Sequence, residues 1–254
     1  MGVYSNIDLN EIKQIVSYYG LGEVLGFEPT IEGISNSNYK VTLGDGKRVL
    51  LKISNDKTES QLLNEQKILE TLDRHNYPYA LPPLRSLKGR HIYEHNGMFG
   101  VLFPFINGLP PKINIDSVYQ IGMALGELHS LEIHKEDLSV LRPHDLVGYG
   151  GVSIRQYTEK KIAPRDFVEA FERIFPDRLE NIPYDVFPSG IIHGDLYFDN
   201  SLFYQNKLVT LIDFEQSGRG RFILDLGIAL SGSCLNEKKD NLDNELIASF
   251  LKGY

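Results

Sequence analysis

The chain has 254 residues, of which 42% are hydrophobic, so it is long enough to bury a core and too apolar for a disordered protein. Its formal net charge of −8 offers no basic surface for a phosphate backbone, which argues against nucleic acid as a partner. The single cysteine, Cys234, excludes an internal disulfide or a zinc cluster and is expected to be buried. The sequence shows neither a signal peptide nor an apolar run of membrane-helix length, so we expect a cytoplasmic protein without membrane attachment.

A short amphipathic helix is predicted over residues 8–19, with Asp8 as its N-cap and Glu11 three residues later. Strands follow, and the turn Gly44-Asp45-Gly46 should join the last two into an antiparallel hairpin. The strands are predicted at residues 30–34, 39–43 and 48–53.

The segment between the first two predicted strands reads G-I-S-N-S-N. In kinases a small loop at this place covers the ATP phosphates with backbone N–H groups and short polar side chains. Ser35, Asn36 and Asn38 are therefore candidate nucleotide-binding residues. The segment lacks a full G-x-G-x-x-G, so a plain turn is the alternative.

Lys52 lies in the strand sequence V-L-L-K-I, where a buried ammonium group needs a partner. The helix predicted over residues 58–72 carries Glu65 in the middle of an apolar stripe. Lys52 and Glu65 should therefore form the ion pair with which kinases hold the α- and β-phosphates. In the alternative interpretation, Lys52 lies on an edge strand and extends its ammonium group into water.

A second hairpin ends at Pro104-Phe105-Ile106-Asn107-Gly108, where apolar and Pro/Gly character change together. This segment is the candidate hinge between two lobes, predicted to be residues 1–106 and 107–254. The adenine would lie there between apolar side chains and hydrogen-bond to the backbone. The candidate residues for this contact are Phe103, Phe105 and Ile106.

Beyond the hinge the pattern is mainly helical. Helices are predicted at residues 117–130, 165–179 and 242–251, and a further, largely apolar helix is predicted to start near residue 223. His129, at the end of the first of these helices, is interpreted as structural rather than catalytic. Residues 138–164 are irregular and too long for an ordinary connector, which favours a substrate-facing loop. Asp225 either caps its helix or braces the loop described next.

The strongest motif is a catalytic-loop pattern, H-x-D-x-x-x-x-N, formed by His193, Asp195 and Asn200. Asp213-Phe214 stands where kinases carry Asp-Phe-Gly, with Glu215 in place of the glycine. Metal-assisted phosphoryl transfer needs one carboxylate to orient the attacking hydroxyl, and an amide and a second carboxylate to bind Mg²⁺. In the alternative interpretation these residues are ordinary polar residues of surface loops. That all of them occur together at the spacing found in kinases argues against this alternative.

The order of Lys52, Glu65, H-G-D-L-Y-F-D-N (193–200), I-D-F-E (212–215) and L-D-L-G (224–227) resembles the aminoglycoside phosphotransferase and choline kinase family of small-molecule kinases. The resemblance covers nearly the whole chain and is strongest to the bacterial homoserine kinase branch. The segments that carry this second likeness include V-Y-S-N-I-D-L-N-E-I (3–12), E-G-I-S-N-S-N-Y-K-V-T (32–42), G-M-A-L-G-E-L-H (122–129) and D-L-G-I-A-L-S-G-S-C-L (225–235).

This resemblance implies an α+β fold of the two-lobed protein-kinase type, with an antiparallel β-sheet N-lobe and a mainly helical C-lobe. It implies ATP and Mg²⁺ as cofactors, with Asp195 as the base for the substrate hydroxyl. Asn200 and Asp213 would be the Mg²⁺ ligands and Lys52 the phosphate anchor. The branch also carries further C-terminal helices, so a truncated C-terminal lobe is an open alternative.

The implied activity is ATP-dependent phosphorylation of a small-molecule alcohol, with homoserine as the leading acceptor. Choline, ethanolamine, methylthioribose or an aminoglycoside are the alternative acceptors. A nucleotide-binding pseudokinase is the rival of another class, and the intact Asp195, Asn200, Asp213 and Lys52 argue against it. The oligomeric state is left open between a monomer and a homodimer.

Overall fold

The computed structural model describes residues 7–30, 36–55, 57–142, 164–166, 169, 173, 186–238 and 240–254. Ser35, most of the predicted strand at 30–34, and most of the predicted loop and helix between 138 and 179 lie outside these residues. The strands are β1 (Val24–Pro29), β2 (Asn36–Leu43), β3 (Arg48–Ser54), β4 (Ile92–His95), β5 (Met98–Pro104), β6 (Ser189–Ile192), β7 (Ser201–Tyr204), β8 (Lys207–Leu211) and β9 (Gly218–Arg221). The helices are α1 (Leu9–Ser17), α2 (Glu59–Arg74), α3 (Ile115–His129), α4 (Lys135–Ser139), α5 (Phe222–Ser233) and α6 (Asn244–Gly253).

The predicted cap of the first helix is confirmed. Asp8 accepts hydrogen bonds from the backbone N–H of Asn10 at 2.7 Å and of Glu11 at 2.9 Å, and the Glu11 side chain accepts from the backbone N–H of Asp8 at 3.0 Å. These bonds satisfy N–H groups that have no partner inside the helix. The same arrangement, with Thr58 and Gln61, starts α2.

An antiparallel five-stranded sheet in the order β1-β2-β3-β5-β4 forms the first layer. The β2–β3 hairpin is confirmed, and Gly46 takes the positive φ of 82° that its turn requires. Strand β1 ends before the strand predicted at 30–34, most of which lies outside the described residues. It is an edge strand with little alternation of buried and exposed residues, so the period-2 signal is weak there.

The prediction of a loop is wrong at two positions, Asn36 and Asn38, whereas their contact with the ATP phosphates stays a prediction. Asn36 and Asn38 lie in β2, where they pair with Ser54 and Lys52 of β3. Their short polar side chains suggested a loop, but the backbone pairing with β3 keeps them in the sheet.

Two hydrophobic cores organise the described residues. The smaller one packs α1 against one face of the sheet, through residues such as Ile12, Ile15 and Leu51. The larger one joins α3, α5, α6 and the strands around residues 191–211. Helix α2 adds its C-terminal half to this larger core, while Leu62 near its start packs against β4 and β5. The predicted division of the chain at residue 106 stays a prediction.

Two glycines spaced four residues apart let α3 pack closely against α6. A Cβ atom at Gly122 would collide with the carbonyl oxygen of Phe250 in α6, and one at Gly126 would lie 2.6 Å from the carbonyl oxygen of Tyr254. Glycine therefore lets the two helix backbones approach. Among the described residues, no helix is long and apolar enough to cross a membrane.

Candidate active site

The catalytic-loop motif follows β6, whose last residues, Ile191 and Ile192, are buried. Gly194 takes a φ of 80°, a conformation that side-chain-bearing residues rarely adopt. Asp225 of α5 accepts hydrogen bonds from the backbone N–H of His193 at 2.7 Å and of Gly194 at 2.8 Å. Of the two roles left open for Asp225, the structure favours the one that braces the loop, because no side-chain hydrogen bond caps α5.

Asp225 is fully buried and is held from its other side by His129. The imidazole Nε2 of His129 lies 3.1 Å from Asp225 Oδ2, and its Nδ1 lies 2.8 Å from the hydroxyl of Tyr254. Burial by itself raises the pKa of Asp225, but the hydrogen bond and charge of His129 outweigh it and lower the pKa below its ordinary value. His129 thus contacts the loop-bracing carboxylate, in keeping with its interpretation as a structural residue.

The His193 ring is buried and links the loop to the segment that carries Asp213. Its Nδ1 accepts from the backbone N–H of Asp195 at 3.3 Å, which leaves Nε2–H to donate to the carbonyl of Ile212 at 3.0 Å. The ring also packs against Phe214, with centroids 4.6 Å apart. His193 is therefore a structural part of the motif, positioning Asp195 and Asp213 relative to each other.

Asp195 and Asn200 are brought together as the spacing predicts. The amide nitrogen of Asn200 donates to the backbone carbonyl of Asp195 at 2.8 Å and lies 3.4 Å from its carboxylate. This bond orients the amide and makes its oxygen the atom left to bind a cation. Burial raises the pKa of Asp195; the charge of Asp213 adds to this shift, and the hydrogen bond from the Asn200 amide opposes it.

Asp213 has a left-handed backbone, with φ 64° and ψ 57°. Non-glycine residues in this region are uncommon and cluster at functional sites. Its Oδ1 atom is buried without a hydrogen-bond partner among the described residues. The backbone N–H of Ile212, which precedes Asp213, donates to the carbonyl of Asn200 at 2.9 Å, so the two segments are joined. A buried carboxylate oxygen without a hydrogen-bond donor is a suitable ligand for a hard divalent cation such as Mg²⁺.

Lys52 is buried next to more carboxylates than the sequence predicts. Its Nζ lies 3.7 Å from Glu65 Oε1, as expected, but only 2.7 Å from Glu215 Oε1 and 3.9 Å from Asp213 Oδ1. Glu215 also forms an ion pair with Lys57 and accepts from the Asn36 amide at 2.8 Å. Sequence reasoning missed this role of Glu215, although a charged residue in place of the motif glycine was a usable signal.

The charged groups around Lys52 differ in the direction in which their pKa values are shifted. Burial opposes the ammonium form of Lys52, but Glu65, Glu215 and Asp213 outweigh it and raise the pKa of Lys52. Burial likewise raises the pKa of Glu215 when taken alone, yet Lys52 and Lys57 lower it to about 2. For Glu65, burial dominates and the pKa is raised despite Lys52. Glu215 is therefore the nearer, hydrogen-bonded partner of Lys52, whereas Glu65 acts on Lys52 through its charge at 3.7 Å.

The predicted adenine-binding residues follow β5 into the hinge segment. The Phe105 backbone N–H donates to the carbonyl of Arg48 at 3.1 Å, and its ring lies 5.6 Å from Lys40 Nζ and 5.1 Å from the Arg48 guanidinium carbon. Phe103 packs against the larger core and also against the apolar cluster beneath β4 and β5. The Ile106 carbonyl accepts from Gly108 N–H at 3.1 Å. Their contact with adenine stays a prediction, as does contact of Asn36 and Asn38 with the phosphates of ATP.

The antiparallel sheet, the helical layer, the catalytic loop and the buried lysine together define a kinase-like phosphotransferase. The sequence model of the phosphotransferase enzyme family matches residues 27–254, and the chain belongs to this family. It is an ATP-dependent small-molecule kinase.

Two similar proteins carry the name homoserine kinase. The one from Bartonella henselae is 27% identical over 237 residues, which cover 92% of this chain and 73% of that protein. The one from Chelativorans sp. is 29% identical over 263 residues, covering 100% of this chain and 78% of that protein.

Solved structures with the same fold include spectinomycin phosphotransferase APH(9)-Ia with ADP and spectinomycin, at a TM-score of 0.70 and 14% identity. That match covers 98% of this chain and 80% of the other. The amicoumacin kinase hAmiN, in complex with AMP-PNP, Ca²⁺ and Ami, has a TM-score of 0.69 and 16% identity, with 97% and 77% covered. At these identities the likeness establishes the two-lobed α+β kinase fold and nothing about the acceptor.

Proposed function

We propose that this kinase transfers the γ-phosphoryl group of ATP to the hydroxyl of homoserine, with Mg²⁺ as the metal. The observation that carries the choice of acceptor is the similarity, at 27–29% identity, to two homoserine kinases along nearly the whole chain. An enzyme that consumes ATP works where ATP is made, so the cytoplasm is our proposed location.

In this proposal Asp195 accepts the hydrogen bond of the attacking hydroxyl and takes its proton as the bond to phosphorus forms. The raised pKa of Asp195 makes its carboxylate a better proton acceptor than an ordinary exposed aspartate. The amide nitrogen of Asn200 donates to the backbone carbonyl of Asp195 and, at 3.4 Å, to its carboxylate, so both the loop backbone and the carboxylate are positioned before the reaction.

Asp213 and Asn200 would hold Mg²⁺, which neutralises charge that develops between the β- and γ-phosphates. Lys52 would bind the α- and β-phosphates. Because Glu215 already neutralises Lys52, phosphate oxygens have to compete with this carboxylate or share the ammonium group with it.

A coupled assay of ADP release tests the proposal. Homoserine is compared with choline, ethanolamine, methylthioribose and an aminoglycoside, and phosphorylated product is identified by mass spectrometry. We expect the highest kcat/KM with homoserine and a kcat at least about a hundredfold lower with Asp195→Asn. A higher kcat/KM for another acceptor overturns the homoserine assignment. Absence of transfer to every acceptor, with ATP still bound, overturns the enzymatic proposal and favours a pseudokinase.

A further inference from the structure

The carboxylate of Glu215 is held by nitrogen donors from three separate segments of the chain. Its Oε1 lies 2.7 Å from Lys52 Nζ of β3 and accepts a hydrogen bond from the Asn36 amide of β2 at 2.8 Å. Its Oε2 forms an ion pair with Lys57, which lies between β3 and α2. Two ammonium groups and an amide that converge on one anionic group form the kind of donor set with which proteins bind phosphate.

The ammonium group of Lys57 has more hydrogen-bond donors than its surroundings satisfy. A lysine side chain carries three N–H donors and no acceptor. The Nζ atom of Lys57 is shielded from water, and apart from the ion pair with Glu215 it has no hydrogen-bond partner among the described residues. Burying a charged group whose donors are unmet is costly, so this position indicates that a further anion binds at Lys57.

The direction of β3 determines which phosphate groups of a nucleotide Lys57 contacts. At the hinge, where we place the adenine, Val49 of β3 pairs with Pro104 of β5. Lys52 lies three residues further along β3, which corresponds to about 10 Å at the rise of a strand. Lys57 follows beyond the end of this strand, yet its ammonium group binds the same carboxylate as that of Lys52. A nucleotide that extends from the hinge along β3 therefore meets Lys52 first and Lys57 with its outer phosphate groups.

We propose that Lys57 is a second phosphate-binding residue, which contacts the outer phosphates of ATP beyond those that Lys52 holds. The inference rests on the proposed function, since it extends the placement of ATP given there. Glu215 occupies the two lysines before the nucleotide arrives, and an entering phosphate oxygen takes the ammonium group of Lys57 over from the carboxylate. Because both lysines face an anion with or without nucleotide, the empty site does not contain two uncompensated buried cations.

The alternative is that Lys57 only neutralises Glu215, and nucleotide binding measured by calorimetry separates the two roles. AMP, ADP and the triphosphate analogue AMP-PNP are titrated into the wild type, Lys57→Met and Lys57→Arg. Lys67→Met is the matched control, because it removes the same charge from an exposed position of α2. No acceptor takes part, so the measurement does not depend on the choice of homoserine.

We expect Lys57→Met to weaken the binding of AMP-PNP about tenfold or more and that of AMP less than twofold, as the loss of a hydrogen-bonded charge from the outer phosphates requires. Lys57→Arg should keep most of the affinity, and Lys67→Met all of it. Unchanged AMP-PNP affinity in Lys57→Met overturns the proposal. Equal weakening of AMP and AMP-PNP also overturns it, because a purely structural lysine gives that result.

Glu215→Gln supplies an independent measurement, made with ADP in the absence of divalent cations. The neutral amide does not compete for the lysines, so ADP should bind several-fold more tightly than to the wild type. Unchanged or weaker binding by the folded variant overturns the role given to Glu215. If this variant does not fold, the comparison of Lys57→Met with Lys67→Met decides the proposal.

The two proposals fail separately. If Lys52→Met weakens AMP-PNP binding and Lys57→Met does not, the role of Lys57 is lost and the proposed phosphoryl transfer stands. If the wild type binds none of the three nucleotides, the proposed function is lost, and the role of Lys57 is lost with it.

Discussion

Lys52 Nζ lies 2.7 Å from Glu215 Oε1 and 3.7 Å from Glu65 Oε1, so the nearer partner of the strand lysine comes from the segment after the catalytic loop. Lys52 is buried and the Glu215 side chain is only 11% exposed, so removing either one leaves the other charge without its nearest partner. The ion pair expected from the sequence exists but has the longer distance of the two.

We predict that Glu215→Gln lowers the free energy of unfolding by about 3 kcal/mol, because it removes the carboxylate charge that pairs with the buried Lys52 and the partly buried Lys57. Glu65→Gln should cost less, since the raised pKa of Glu65 shows that its charge is poorly stabilised. Urea denaturation of both variants, each combined with Lys52→Met in a double-mutant cycle, measures the two coupling energies. A coupling of Lys52 to Glu65 as large as that to Glu215 would contradict the geometry.

The left-handed backbone of Asp213 gives a second prediction. Asp213→Gly and Asp213→Ala both remove the proposed metal ligand and should both lower kcat at least a hundredfold. Glycine accepts the φ of 64° without strain, so Asp213→Gly should be about 1 kcal/mol more stable than Asp213→Ala. Thermal unfolding and turnover of the pair separate the two effects. Equal stability would mean that the backbone relaxes in the alanine variant.

Asn200→Ala is compared with the two Asp213 variants, because it removes the neutral proposed Mg²⁺ ligand and keeps the charged one. Turnover of this variant should recover partly as the Mg²⁺ concentration rises, since the remaining carboxylate still binds the ion. Near-normal kcat at ordinary Mg²⁺, in this variant and in Asp213→Ala, would refute the metal assignment.

For Asp195, we predict an effect on the transition state alone. Asp195→Asn is nearly isosteric but cannot take the proton, so kcat should fall by about 10²–10⁴ while ATP affinity stays the same. Steady-state kinetics and nucleotide binding by calorimetry are compared with those of wild type. A loss of ATP affinity that matches the loss of kcat would indicate a binding role instead.

Asp225 should contribute stability that depends on pH. Its pKa is lowered in the folded chain, so the contribution is complete above the unfolded pKa of about 4 and is lost as the pH falls through the lower folded value. Asp225→Asn should therefore cost about 3 kcal/mol at pH 7 and progressively less below pH 4. Denaturation of wild type and variant across pH 2–7 measures this, with the exposed Asp73→Asn as control. A cost that does not change with pH would show that the carboxylate charge is not what stabilises the loop.

The sequence predicts best those features that depend on neighbouring residues. The Asp8 cap, the β2–β3 hairpin and the pairing of Asp195 with Asn200 all follow from spacings of a few residues. Turn and cap geometry is local, so a short motif is enough to specify it. The packing of α3 against α6 was also predictable, because two glycines on one helix face indicate close backbone contact.

The features that the sequence did not predict depend on residues far apart in the chain. Lys52 and Glu215 are brought together by the packing of the sheet on the catalytic loop, and His129 reaches Asp225 over 96 positions. No local period encodes such contacts. The strand position of Asn36 was missed for a related reason, since pairing with β3 overrides the turn preference of its side chain.

Helix α2 contributes apolar side chains to both layers, Leu62 to the cluster beneath the sheet, and Ile68 and Leu72 to the larger core. A fragment that ended after the sheet would expose the second half of this helix to water, and one that began at α3 would lose part of its own interior. The two layers are therefore expected to unfold in a single cooperative transition, since the larger core and the apolar cluster beneath β4 and β5 both contain side chains of this shared helix.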